Sequence, residues 1–130
     1  MNKIKIHEQG FEPIIPSEKI DATSQQMADK INNDLAGKTP LFLVILNGSF
    51  MFAADLFKKV NMNCEITFIK LASYSGTQST EKVKELIGLD ESFKDRHVVI
   101  VEDIIDSGIT LEKVLNNLKK MEAASVQIAT

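Results

Sequence analysis

The chain contains little of several residue types that mark particular classes of protein. Its 130 residues include no tryptophan, three prolines and a single cysteine, Cys64. One cysteine excludes an internal disulfide, so we expect a reducing compartment, the cytoplasm. Cys64 begins an apolar run and has no nearby His or Asn pattern that would activate a thiol, which favours a structural role over catalysis.

Long apolar runs and an excess of basic residues are also missing. No stretch approaches the roughly 20 apolar residues that cross a bilayer, and the N-terminus has no signal-peptide segment. A formal net charge of −3 argues against general nucleic-acid binding, which uses a basic face. The hydrophobic fraction of 44% is ordinary for a globular protein, and we expect one domain over residues 1–130.

Apolar runs alternate with stretches of helical spacing along the chain. A continuous apolar run predicts a strand buried on both faces, whereas apolar residues three and four positions apart predict a helix. Residues 83–89 fit a strand or a short helix. The predicted strands are 41–46, 65–71, 98–101 and 125–130, and the predicted helices are 17–35, 50–60 and one that Thr110 opens.

This alternation of strands and helices predicts a parallel sheet with right-handed crossovers, which binds ligands at the carboxyl ends of its strands. The loops at Asn47, Ser73 and Glu102 all leave such ends, so we expect them to surround one crevice. Ser49 is the predicted N-cap of the second helix. The hydroxyl-rich segment 73–81 predicts a flexible loop, which is either a lid that excludes water or an ordinary surface loop.

The strongest motif follows the third apolar run. Three acids, Glu102, Asp103 and Asp106, come first. They are followed by a turn and the expected start of a helix, with the residues Ser107, Gly108, Ile109 and Thr110. A turn before a helix offers free N–H groups to an anion, but the acids would repel a phosphate. A divalent cation between them, or hydroxyls bound by the carboxylates, removes the conflict. The motif therefore predicts a metal-bound, phosphorylated sugar or nucleotide; the alternative is a plain turn in which Asp106 or Thr110 caps the helix.

A second turn, Asn47-Gly48, joins the strand at 41–46 to the next helix. Its backbone N–H groups also suit an anion, although Asn-Gly turns are common without any ligand.

Residues 98–110 resemble the phosphoribosyl-pyrophosphate signature of type I phosphoribosyltransferases. Residues 46–56, 73–74 and 78–80 are similar to the hypoxanthine or hypoxanthine-guanine branch of that family. The resemblance runs from about Ile14 to Thr130, with all motifs in family order.

The resemblance implies a three-layer α/β fold with a central parallel sheet, whose C-terminal strand and hood elements are missing from this chain. It implies purine salvage by transfer of the 5-phosphoribosyl group from phosphoribosyl pyrophosphate to hypoxanthine or guanine, giving IMP or GMP and pyrophosphate. Mg²⁺ is the implied cofactor, and family members usually form dimers or tetramers. No nucleic-acid or membrane partner is implied.

Roles for the site residues also follow from the resemblance. Asp106 would be the catalytic proton acceptor at the purine N7, and Glu102 and Asp103 would contact the ribose hydroxyls and the metal. The segment 107–110 would hold the 5′-phosphate. The remaining implied roles are pyrophosphate binding for Asn47 and Gly48, beside a frequent non-proline cis bond, and a lid for Ser73 and Tyr74. Asn47 departs from the family, which frequently has Lys before the Gly.

The C-terminus departs further from the family. Members continue past the strand that begins at Ser125 with a Lys that reads the purine, a stacking aromatic and a late Asp, and none of these maps onto this chain. The alternatives are a weak or inactive fragment that binds phosphoribosyl pyrophosphate, and a nucleotide-sensing regulatory relative. An acidic composition speaks against RNA binding by the latter.

Three other classes fit less well. A receiver domain would need more chain after the acids, and a haloacid-type phosphatase would need Asp-x-Asp-x-Thr. A dinucleotide fold would need Gly-x-Gly-x-x-Gly.

Overall fold

The structure is a computed structural model that describes residues 3–73, 83–87 and 92–130. In chain order the elements are β1 (Ile4–Ile6), β2 (Gln9–Phe11), α1 (Ser17–Asp34), β3 (Leu41–Leu46), α2 (Phe50–Lys59), β4 (Glu65–Ser73), β5 (Val83–Ile87), β6 (His97–Val101), α3 (Ile109–Lys120) and β7 (Ser125–Ala129). Over these ranges, no helix combines the length and apolar character that crossing a membrane requires.

A five-stranded sheet in the order β5-β4-β3-β6-β7 forms the centre of the fold. β3 pairs in parallel with both β4 and β6, and β7 pairs in parallel with β6. The predicted parallel sheet is confirmed. β5 pairs antiparallel with β4, so the ambiguous segment 83–89 contributes an edge strand. The parallel strands all end at one edge of the sheet, which we call the carboxyl edge.

Helices cover both faces of the sheet, giving three layers. Alternate residues of β3 point to opposite faces: Phe42 and Val44 pack with α1 and α2, whereas Leu43 and Ile45 pack with α3. This explains the unbroken apolar run of β3, since neither face is open to water. Each fully buried side chain of this kind contributes about 1.5–3 kcal/mol to folding.

The boundary residues of α2 correct one prediction. Ser49 precedes α2 as predicted but makes no side-chain capping hydrogen bond. Its buried hydroxyl instead donates to the carbonyl of Ile45, near the end of strand β3. Capping by Ser49 is therefore wrong: inside the protein, the strand carbonyl competes successfully for the hydroxyl. α3 begins at Ile109, one residue before the predicted start at Thr110.

An N-terminal hairpin was not predicted. β1 and β2 pair antiparallel over three residues each, separately from the main sheet. Strands this short present no period long enough to recognise. Their residues are exposed, including Ile4, Ile6 and Phe11, so the hairpin lies outside the core.

Asn32 of α1 links the two helices on one face of the sheet. Its Nδ2 donates to the Lys59 carbonyl at 3.3 Å, and its Oδ1 accepts from the Asn61 N–H at 2.9 Å. Both partners lie at the C-terminal end of α2, where carbonyls lack partners within the helix. The Lys59 ammonium lies 2.7 Å from Asp21 and joins the same two helices. This link fixes the far end of α2, and with it the direction in which the helix leaves the carboxyl edge.

We expect Asn32→Ala to lower the free energy of unfolding by about 1–2 kcal/mol more than Asn33→Ala does, because two hydrogen bonds are lost and one helix carbonyl loses a partner. Both substitutions gain the same helix propensity on the same helix, so Asn33→Ala, at an exposed position, is the matched control. Urea denaturation of the two variants measures the difference. Equal midpoints would show that Asn32 contributes nothing to the docking of α2.

Candidate active site at the carboxyl edge

The segment between β6 and α3, residues 102–108, is called the acidic loop below. It surrounds a half-open cavity of about 130 Å³. The lining residues are Glu102, Ile104, Ile105, Asp106, Ser107, Gly108, Thr110 and Leu111. The cavity therefore combines two carboxylates, two hydroxyls and a helix start.

Gly108 sets the geometry at the start of α3. Its φ is +82°, in the left-handed region, and open space lies where a Cβ would be. Glycine is favoured here for its backbone conformation, not for lack of room. No side chain caps α3. The Ile109 N–H points at Ser107 Oγ over a long 3.4 Å, so the helix start is only weakly satisfied from within the chain.

The segment between β3 and α2, residues 47–49, is called the glycine loop. The peptide bond between Leu46 and Asn47 is cis, although no proline is present. Asn47 and Gly48 are exposed at the carboxyl edge, while Ser49 turns inward. α2, like α3, starts without a side-chain cap.

Gly48 brings the two loops into contact. A Cβ built on Gly48 would lie 2.8 Å from Cγ of Asp103 and nearer still to Oδ2. Real Cβ atoms do not approach other atoms so closely, so only glycine fits here while Asp103 keeps its place. The expectation that these loops meet at one crevice is confirmed for the glycine loop and the acidic loop.

Glu102 and Asp103 form a coupled pair of acids. The Asp103 N–H donates to Glu102 Oε1 at 3.1 Å. Burial, and then the hydrogen bond with the Asp103 carboxylate, raise the pKa of Glu102 from its ordinary 4.5 to about 7. The same hydrogen bond with Glu102 lowers the pKa of Asp103. Below about pH 7 the pair therefore favours a proton on Glu102, with the negative charge on Asp103.

The two acids open into different cavities. Glu102 lines the acidic-loop cavity with Asp106, whereas Asp103 lines a larger, mostly apolar cavity of about 470 Å³. The other residues around that second cavity come from the first half of α1 and the segment before it, from α2, and from the residue after β7: Ile15, Lys19, Ile20, Thr23, Ser24, Met27, Phe52 and Thr130. Asp103 thus faces the glycine loop and α1, and Glu102 faces the start of α3.

The acid pair fits a hard divalent cation in its chemistry. Mg²⁺ is commonly bound through one or two carboxylates, with water and substrate oxygens in its remaining positions. In the parts of the chain that are described, no three His, Cys, Asp or Glu side chains come together as a metal site. Among the described residues, Glu102 and Asp103 are the adjacent pair of carboxyl groups that could hold such an ion at this edge.

The remaining predicted site residues divide into two groups. β4 ends at Ser73 at the carboxyl edge, and Tyr74, with the rest of the predicted lid to residue 81, lies outside the described residues. Ile109 is exposed and does not line the acidic-loop cavity.

Sequence reasoning missed two isoleucines of the acidic loop. Ile104 and Ile105 line the cavity while being 70% and 41% exposed. Two exposed apolar side chains between acids provide a surface on which a flat apolar group could rest. The sequence did contain a signal, because two adjacent isoleucines are unusual in an otherwise polar turn. The sequence prediction treated them only as the two residues that separate Asp103 from Asp106.

A family model for the phosphoribosyl transferase domain matches residues 16–130. The hypoxanthine-guanine phosphoribosyltransferase of Streptococcus mutans is 38% identical over 125 residues, which are 95% of this chain and 69% of that protein. The corresponding protein of Streptococcus pneumoniae is 36% identical over 118 residues, 90% of this chain and 66% of that protein. The chain therefore belongs to the phosphoribosyltransferase family, in its hypoxanthine-guanine branch.

Solved structures agree with this assignment. A hypoxanthine phosphoribosyltransferase from Staphylococcus aureus superposes with a TM-score of 0.85 at 32% identity, covering 92% of this chain and 65% of that one. A hypoxanthine-guanine phosphoribosyltransferase from Bacillus anthracis has a TM-score of 0.85, also at 32% identity, covering 92% of this chain and 72% of that one. The resemblance and the three-layer α/β fold are confirmed. The chain spans about two thirds of the length of these relatives.

We expect the pKa of Glu102 to make folding less favourable as pH rises from about 4.5 to about 7. In this window the unfolded chain releases the Glu102 proton while the folded chain retains it, so the unfolded state binds fewer protons and stability falls. Below pH 4.5 the contribution is constant. Urea denaturation at pH 5 and pH 7 should therefore show a smaller loss of stability in Glu102→Gln than in the wild type.

Glu112→Gln is the matched control for this experiment, because Glu112 is an exposed glutamate on the first turn of α3. It should leave the pH dependence as in the wild type. An unchanged pH dependence in Glu102→Gln would show that the Glu102 carboxyl titrates alike in the folded and unfolded chains.

Proposed function

We propose that this chain binds phosphoribosyl pyrophosphate at the carboxyl edge and takes part in its reaction with hypoxanthine or guanine. The reaction joins the purine to C1′ of the ribose, releases pyrophosphate and gives IMP or GMP. The observation that carries the proposal is the meeting of the acidic loop and the glycine loop, which brings acids, hydroxyls and two uncapped helix starts to one edge. Family membership supports the same substrates, which the relatives' names imply for those proteins.

The acidic loop is proposed to hold the phosphoribosyl group. Backbone N–H groups and hydroxyls of residues 107–110 suit the 5′-phosphate, because the uncapped start of α3 presents partial positive charge to an anion. Glu102 and Asp103 are proposed to accept hydrogen bonds from the ribose hydroxyls and to bind Mg²⁺. The bound Mg²⁺ would supply positive charge that offsets the negative charge of the pyrophosphate leaving group.

The glycine loop is proposed to bind the pyrophosphate. Asn47 and Gly48 are exposed and precede the uncapped start of α2, so their N–H groups can serve an anion without a lysine. Ser73 and Tyr74 are proposed to belong to a lid. A lid suits this chemistry, since an oxocarbenium-like transition state reacts readily with water.

Asp106 is proposed to accept a proton from N7 of the purine. The purine loses this proton as its other imidazole nitrogen, N9, bonds to C1′ of the ribose. The carboxylate lines the same cavity as Glu102, beside Ile104 and Ile105. A base at this position would rest near the apolar side chains with its N7 toward the acid.

The lone Cys64 fits a cytoplasmic location, and a second copy of the chain is the expected partner, as in dimers or tetramers of the family.

Titration calorimetry with phosphoribosyl pyrophosphate tests the binding step on this chain. We expect binding that requires Mg²⁺ and is lost in the double variant Glu102→Gln/Asp103→Asn, because the carboxylates that bind ribose and metal are removed. The double variant Asp29→Asn/Asp55→Asn changes net charge equally on exposed helix surfaces and should bind as the wild type does. Binding that ignores both Mg²⁺ and the acid pair would contradict the proposal.

Asp106→Asn tests the proton acceptor. We expect turnover to fall by roughly 10²–10⁴-fold, the usual value of a general base, while phosphoribosyl pyrophosphate binding changes little. Turnover is measured with hypoxanthine, guanine and xanthine on this chain and on one extended at its C-terminus with the corresponding segment of a relative. Asp29→Asn is the control, and an equal loss of binding and turnover in Asp106→Asn would remove the assignment.

A further inference from the structure

Two glycines border the site for different physical reasons. Gly108 has a φ of +82° and open space beyond its Cα, so its conformation is what excludes other residues. Gly48 is not among the residues with positive φ, so its φ does not require glycine. What excludes a side chain at Gly48 is the carboxylate of Asp103, with Cγ at 2.8 Å and Oδ1 at 3.3 Å from the position of a Cβ.

The backbone of Asp103 has little freedom to move away from this contact, so an added side chain at position 48 must be accommodated by the exposed carboxylate or by the glycine loop. The Asp103 N–H is bound to Glu102 Oε1 at 3.1 Å. Its backbone follows β6 by two residues, and β6 is paired on both sides. A methyl group at position 48 would therefore turn the carboxylate away from the glycine loop or push the loop itself outward.

We propose that Gly48 is a positioning residue for Asp103: its missing side chain lets the carboxylate lie against the glycine loop, where it can serve the ribose and the metal. The inference rests on the proposed function, because it assigns Asp103 a part in binding phosphoribosyl pyrophosphate. It gives Gly48 a role besides any hydrogen bond from its own N–H. It also means that the position of the glycine loop and the position of the Asp103 carboxylate depend on the same contact, the one between Gly48 and Asp103.

The contact can be tested without any ligand. Gly48→Ala should lower the melting temperature in the wild-type background and in Asp103→Asn, because the carboxylate, or the amide that fills the same space, must be displaced. In Asp103→Ala the atoms that would collide are gone, so Gly48→Ala should cost little. Gly10→Ala is the matched control, since Gly10 has an ordinary φ and open space around it.

The effect on binding is measured by titration calorimetry on the full chain with Mg²⁺. Gly48→Ala should weaken phosphoribosyl pyrophosphate about tenfold to hundredfold, the range for losing one well-placed charged contact. It should also weaken ribose 5-phosphate, which has no pyrophosphate. In the Asp103→Ala background, Gly48→Ala should add less than twofold to either loss, as expected when two changes act through one group.

The outcomes separate the inference from the proposed function. If Gly48→Ala weakens phosphoribosyl pyrophosphate alone, or lowers affinity equally with and without the Asp103 carboxylate, Gly48 acts directly on pyrophosphate and the inference fails. If the melting temperatures show the same cost in all three backgrounds, the contact itself is refuted. If the wild type binds neither probe while the stability pattern holds, the proposed function fails and the steric dependence of Asp103 on Gly48 stands.

Discussion

The parallel pairing of β3 with β6 is the constraint on which the site depends. Val44 lies opposite Val101, so both strands end side by side and release their loops at the same edge. Four residues after Val44 comes Gly48, and two residues after Val101 comes Asp103. The pairing itself is held by apolar side chains buried on both faces, where a one-residue slip would move the whole strand out of register with both helical layers. The chemistry at the edge is therefore positioned by the most buried part of the molecule.

Charge at the edge is arranged around this frame. Burial raises the pKa of Glu102 and so favours a proton there, while Asp103 opens into a neighbouring cavity. The negative charges of the acids are therefore not concentrated in one cavity, so an approaching phosphate meets less repulsion. The start of α3 offsets the rest, because the partial positive charge of a helix start lies beside the same cavity, which Gly108 and Thr110 line.

Local patterns in the sequence were enough to predict most of the fold. β3 was predicted with its observed bounds, and α1 and α2 ended within one residue of the prediction, because buried runs and helical spacing are local signals. The meeting of the loops followed from the rule for parallel sheets. The hairpin at residues 4–11 was missed because three-residue strands have no readable period. The roles given to the site residues remain predictions.

What the sequence did not reveal depends on contacts between distant segments. Nothing local distinguishes a capping Ser49 from one that donates to Ile45, since the choice depends on the strand it packs against. Likewise, Asn47-Gly48 resembles an ordinary turn until Asp103 is placed beside it. The divergence of Glu102 and Asp103 into separate cavities also required knowing what surrounds the end of β6.

The inward rotation of the Ser49 hydroxyl has an energetic consequence. A serine that capped α2 would add about 1 kcal/mol to the stability of the helix, and it would do so by occupying the leading amides. This chain forgoes that gain at α2, and at α3 it places a glycine where a capping side chain could stand. Both helix starts that open on the edge are thus left without a capping side chain. The partial positive charge at these helix starts is therefore free to attract an anion from solution. Without a bound anion, the protein lacks the roughly 1 kcal/mol that a capping serine would add at α2.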